Sequence, residues 1–188
     1  MANLTAGDLH FWLPADHVAG KVRAALRPFG IDGRPSVGDG MVYHVDPSRS
    51  EAAAAALGEA LSAIEQDDTR ALFCLPDVAP TPSDTARVEP LSRVIIRAQN
   101  GWLMAVIRER QLTSHFQPIV HAARPDQLYG YEALLRGVNP DGSFIFPGAL
   151  FATARGAGML FQLDLAARRS AIGDRRTRTR TGCSTPCS

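Results

Sequence analysis

Excess charge of either sign is missing from this chain. Its 188 residues carry 20 Lys and Arg against 19 Asp and Glu, a formal net charge of +1. No overall field therefore favours a nucleic acid polymer or an anionic membrane, and any anion site has to be local. Long apolar runs are missing too. No stretch reaches the roughly 18 residues of a membrane span. No basic start leads into an apolar core and a small-residue cleavage site. The expectation is a cytoplasmic protein without membrane insertion. Cysteine is scarce: Cys74, Cys183 and Cys187 form no disulfide framework and fit a reducing compartment. Cys183 and Cys187 lack the second pair, or the nearby histidine, that a zinc site needs. Ser50 and Ser114 have no His–Asp context to make either a nucleophile.

What the chain does contain is ordinary globular material, 45% apolar and 21% charged. Residues 8–13, "LHFWLP", read as a short strand or buried anchor. "ADHVAGKVRAALRPFG" reads as a helix, with Val18, Val22, Ala25 and Leu26 on one face and Pro28 and Gly30 as its stop. "GMVYHVD" and "RALFCLP" read as strands. Between them "SRSEAAAAALGEALSAIEQ" has the propensity of one long helix. Residues 1–76 are therefore expected to form a small αβ regulatory or sensory unit, with strand pairing that the pattern does not reveal.

Prolines at 80, 82 and 90 make 77–90 the linker candidate. Helical spacing follows over 91–111, where Asn100–Gly101 marks a bend or a break in a connecting helix. "HFQPIV" reads as a strand, "HAARPDQ" as a turn and "LYGYEALLRG" (128–137) as a second strand. "NPDGSFIF" has Asp-Gly turn chemistry, "PGALFATARGAGML" is a helix opened by Pro147, and "FQLDLAARRSAI" is another helix. "GDRRTRTRTGCSTPCS" has no apolar periodicity, so 173–188 is expected to be a disordered tail.

Alternation along a strand puts Glu132, Leu134 and Arg136 on one side of 128–137. Glu132 and Arg136 would stand roughly 13 Å apart. That suits a carboxylate on a hard cation and a guanidinium on a phosphate of an elongated ligand. It suits equally a polar strand edge that faces solvent, and spacing alone leaves both readings open. Tyr129, Tyr131 and Phe151 read as core, His115 and His121 as surface, and Asp164 as a helix-start residue.

The blocks "HFQPIV", "YGYEALLRG", "PDG", "FPGALFATARGAGML" and "LDLAARRSAI" together resemble, in order, spacing and type, the opening of an EAL domain. The family takes its name from the Glu-Ala-Leu at 132–134. The resemblance covers 112–172; residues 1–90 resemble no family in the same way. It implies an α/β fold in which the small N-terminal unit is followed by the first strands and helices of a TIM-like EAL barrel, with one strand antiparallel. It also implies metal-dependent hydrolysis of cyclic di-GMP, a bacterial second messenger, to pGpG. Mg2+ or Mn2+ would activate water for attack on the phosphodiester. On this resemblance Glu132 is the catalytic metal ligand, Gln117 lies at the substrate site, Leu134 lies against the ligand and Arg136 contacts its phosphate. Intact EAL domains also pair, which implies a homodimer through this region.

Such a barrel takes about 250 residues. The family's later asparagine ligand, paired aspartates, lysine and further glutamates have no counterpart here. The expectation is a truncated domain that lacks activity, with a reading-frame shift near residue 173. The alternative is a non-catalytic EAL-derived module that binds ligand or protein.

Overall fold

The computed structural model describes residues 7–180, and of 174–180 it describes the backbone alone. Cys183 and Cys187 lie outside the described residues. The chain divides into two units, one ending at Gly101 and the other beginning at Trp102.

The first unit is a five-stranded antiparallel sheet with helices on one face. Its central strand β1 (Gly7–Trp12) pairs with β3 (Met41–Val45) on one side and β4 (Arg70–Cys74) on the other. Short edges follow outside them, β2 (Gly33–Pro35) on β3 and β5 (Glu89–Pro90) on β4. Both edges carry a proline, which has no N–H to offer a further strand. Gly33 sits opposite Tyr43, and a Cβ there would stand 2.7 Å from the tyrosine ring, so a side chain at 33 is excluded.

The helical face follows from spacing. Helix α1 (Asp16–Leu26) buries Val18, Val22 and Leu26 at intervals of four. Helix α2 (Ser50–Ala60) buries Ala53, Ala54 and Leu57, and α4 (Leu91–Gln99) buries Leu91 and Ile95. These meet Leu9, Phe11, Tyr43 and Ala71 of the sheet in one core. Each large apolar side chain buried there contributes about 1.5–3 kcal/mol.

Three sequence readings change. The long helix over residues 48–66 is two helices, because Leu61 turns extended and Ser62 caps α3 (Ala63–Asp68). The Glu65 carboxylate closes that capping box on the Ser62 amide and accepts from Lys21 Nζ at 2.7 Å. The Lys21 contact, with the Ser62 amide next, pulls its pKa down to about 2. Second, 77–90 is not a free linker. Pro82 opens a 3₁₀ turn over Pro82–Arg87, Arg87 donates to the Phe73 carbonyl, and β5 joins the sheet. Third, α4 is core to this unit rather than a connector. Asn100 ends it, and α5 (Gly101–Arg108) is a separate helix.

The sheet's other face mixes buried apolar Val42, Leu72 and Cys74 with a pinned carboxylate. Asp8 is buried, and its carboxylate accepts from His44 Nδ1 and from the Asp77 amide, each at 2.8 Å. Asp77 takes a left-handed φ of 60° to present that amide. Burial opposes ionisation of Asp8, but the His44 hydrogen bond, the Asp77 amide and the charges of His44 and Arg34 outweigh it, so its pKa lies below the ordinary value. A depressed carboxyl contributes stability above its unfolded pKa of about 3.9 and loses it as pH falls through the folded value. The gap in Tm between wild type and Asp8→Asn is therefore expected to be widest above about pH 5 and to narrow as pH falls through the lowered folded value. A gap unchanged down to pH 2 would show that the Asp8 charge does not stabilise the fold.

The second unit has a three-stranded antiparallel sheet, β6 (Leu112–His121), β7 (Arg124–Val138) and β8 (Phe144–Ile145). Helices α6 (Pro147–Gly156) and α7 (Leu160–Arg180) follow. Gly158, at φ 69°, makes the turn between them. The fold class is mixed α/β with two antiparallel sheets, and no closed barrel is present among the described residues. Helix α7 continues to Arg180, past the expected end at 172, since arginine is a good helix former and no proline intervenes. No described helix is long and apolar enough to cross a membrane.

Candidate functional site

The β6–β7 hairpin has two unlike faces. Leu112, Ser114, Leu135 and Gly137 are buried on one of them. There Leu112 stands opposite Gly137 and Ser114 opposite Leu135. Gly137 lies beneath Leu150 of α6, and Ser170 of α7 donates to the Leu112 carbonyl at 2.9 Å, so this is the helix-covered face.

The other face carries the residues singled out from sequence. Gln117 is directly opposite Glu132, His115 opposite Leu134, and Thr113 opposite Arg136. Odd positions of β6 and even positions of β7 thus share a side, and the pleat puts Gln117, Glu132, Leu134 and Arg136 together on it. Gln117 and Glu132 are exposed, while Leu134 and Arg136 are half-buried. The alternation within 128–137 was legible. The pairing with Gln117 was not, because the connection at 122–123 has no Asn-Gly or Asp-Gly signal and the register slips between Ile119 and His121.

Sequence reasoning also missed what steadies Arg136. Its guanidinium lies over the Phe146 ring, 5.2 Å from the centroid, and Nη1 donates to the Leu135 carbonyl at 2.7 Å. A stacked cation of this kind contributes about 0.5–1 kcal/mol at an exposed site. His115 meets Phe144 edge-on at 5.0 Å. Both aromatics follow the turn at Asp141–Gly142, where Gly142 has φ 83° and Asp141 accepts from Ser143. The signal was in "NPDGSFIF", whose turn chemistry was readable but whose target was not.

Other expectations divide. His115 and His121 are exposed, as expected of surface residues. Tyr129, Tyr131 and Phe151 are not core: Tyr129 is 74% exposed and Tyr131 60%. The two tyrosines sit on the far half of the hairpin, where Tyr129 meets His121 edge-on, and Phe151 lies exposed on α6. Asp164 lies inside α7 and pairs with Arg168 one turn on, at 3.0 Å.

A divalent ion pair does not fit the donors present. Mg2+ fills its six positions with one or two carboxylates, waters and substrate phosphate oxygens, so two adjacent ions need more carboxylates than one. Glu132 stands opposite an amide, and no group of three His, Cys, Asp or Glu side chains among the described residues is placed to hold a metal.

The first unit offers a second cluster. Ser36 Oγ lies 2.6 Å from His10 Nδ1, close to Asp8. A nucleophilic triad needs the carboxylate on that same imidazole. Here both Asp8 oxygens are taken, by His44 and by the Asp77 amide. Burial lowers the pKa of His10 despite the nearby Asp8 charge and the Val78 backbone. The cluster fastens the loop at 75–80 to the sheet and carries no relay.

Comparison with curated proteins finds no match. Residues 100–186 match the family model described as EAL domain. The match extends beyond both ends of 112–172, and it takes in α5 as well as the hairpin and the two helices after it. The C-terminal part of the chain is thus consistent with a partial EAL domain, a family generally of cyclic di-GMP phosphodiesterases and generally metal-dependent.

Proposed function

We propose that the second unit carries the opening portion of a cyclic di-GMP phosphodiesterase site, and that this chain alone does not hydrolyse the ligand. The observation that carries the reading is the shared face of Gln117, Glu132, Leu134 and Arg136 within a segment that matches the EAL domain. On that face Arg136 supplies forked donors for a phosphate, held ready by Phe146. Leu134 offers an apolar platform for a base or ribose. Gln117 supplies an amide that both donates and accepts. Glu132 would be one ligand to Mg2+ or Mn2+, the ion that activates water and stabilises charge on the phosphate. A lone carboxylate cannot assemble that chemistry, which is why binding and turnover separate in this reading. A homodimer through the EAL segment belongs to the same proposal.

The non-catalytic reading has its own support: the residues proposed for ligand contact share one face, while no three potential metal-donor side chains come together among the described residues. Both forms of the proposal are tested by incubating the chain with cyclic di-GMP and either metal. The expected outcome is bound, unhydrolysed ligand, with affinity reduced about 10- to 100-fold in Arg136→Ala, the effect of losing a charge-assisted hydrogen bond. Absence of binding by the wild-type chain would remove the ligand-face reading.

A further inference from the structure

The first unit contains a cavity of about 220 Å³ between its sheet and helices. Helix α2 contributes Ala53, Ala54 and Leu57 to the wall, and α4 contributes Val94, Ile95 and Ala98. The sequence explains the space. The alanine run of α2 favours the helix but fills little volume where it faces α4, and Ala98 answers it from the other side. The space opens partly to solvent, and a concave, mostly apolar pocket with a few polar groups on its wall is the usual form of a small-molecule site.

The chemistry of the wall selects the class. Polar wall residues are few: Ser50, Tyr43 and Arg97. The Ser50 hydroxyl donates to the Pro47 carbonyl. Arg97, partly exposed where the wall meets solvent, is already neutralised by both oxygens of Glu89. A charged ligand would lose its hydration there with no uncompensated charge to replace it. Tyr43 is fully buried and its hydroxyl has no hydrogen-bond partner. Burying an unsatisfied hydroxyl is costly, and burial also raises its pKa, so it stays neutral. An apolar cavity of about 150 Å³ admits benzene. This one takes a molecule of roughly ten non-hydrogen atoms on the same scale.

We propose that the first unit is a receptor site for a neutral, predominantly apolar small molecule, bound between α2 and α4 against the sheet. The proposal is independent of the EAL segment, so its failure leaves the reading of the hairpin face untouched.

The test uses the full chain and two probes of equal length, 1-octanol and octanoate, followed by methyl chemical shifts and by Tm. Octanol is expected to give saturable shifts at Leu57, Val94 and Ile95 and to raise Tm, with at least tenfold tighter binding than octanoate. Ala54→Leu and Ala98→Leu each fill the space from one wall. Each is expected to weaken octanol binding at least tenfold without lowering Tm, and if one fails to fold the other decides. Absence of saturable shifts at those methyls would overturn the proposal. So would octanoate binding as tightly as octanol, or wild-type octanol affinity in a folded variant.

Discussion

Glu132→Gln, made in a form of this chain extended to a complete EAL barrel, is expected to lower turnover of cyclic di-GMP by more than about a hundredfold. Glutamine keeps the shape of glutamate and its hydrogen-bonding reach but removes the anion, so the side chain no longer holds a hard cation. Loss of an outer-shell partner of a metal ligand already costs about 10- to 100-fold, and the ligand itself counts for more. The fold gives a clean control. In the 188-residue chain Glu132 is exposed on β7 opposite Gln117, so there the same substitution disturbs no packing and stability should change by less than about 0.5 kcal/mol. If instead the residue is a solvated strand edge, Tm and turnover will both stay near wild type. Steady-state rates at several metal concentrations distinguish a weakened ion, which high metal partly rescues, from a role in which metal makes no difference.

Phe11→Ala is expected to destabilise the first unit by about 3–5 kcal/mol. Phe11 is 0% exposed, its ring centroid is 5.2 Å from that of Tyr43, and it sits on the central strand with β3 on one side and β4 on the other. Truncation removes its contacts with both and enlarges a core that already contains a cavity, so collapse cannot make good the loss. A domain of this size is stable by only about 5–15 kcal/mol in total, so the variant should be partly unfolded near 37 °C. Ile64→Ala is the control, since Ile64 is 73% exposed on α3 and should change stability by less than about 0.5 kcal/mol. Urea midpoints for the two variants test the contrast. Equal, small shifts would show that the core is not organised around β1.

Where the sequence was readable, one physical signal dominated. Val18, Val22 and Leu26 announced α1 because a single apolar stripe repeats at helical spacing. The β-branched and aromatic content of β3 announced a strand, and the short apolar run of β4 announced another. Short edges hid. Gly33–Pro35 and Glu89–Pro90 have no alternation to detect, and their prolines argue for loops until the sheet supplies a neighbour that needs no N–H from them. The same prolines made 77–90 look like a linker, although Asp8, sixty-nine residues from Asp77, reaches across to hold its amide. That contact is long-range and leaves no local trace. Within the second unit, the Glu132–Arg136 side was legible from alternation, but register, and with it the partnership with Gln117, belongs to two strands at once. The cation–π contact of Arg136 with Phe146 depends on how the turn at Asp141–Gly142 returns the chain, which composition does not specify.

In the proposed function, the hairpin face contacts a cyclic dinucleotide, while the described residues supply too few metal donors to cleave it. The most direct measurement is a ³¹P time course of cyclic di-GMP with the 188-residue chain and saturating Mn2+, run beside the extended barrel at equal concentration. The extended form is expected to release pGpG while the shorter chain leaves the phosphodiester signal unchanged throughout. Release of pGpG by the shorter chain, abolished by Glu132→Gln, would contradict it, because the residues present would then suffice for the hydrolysis they are argued only to begin.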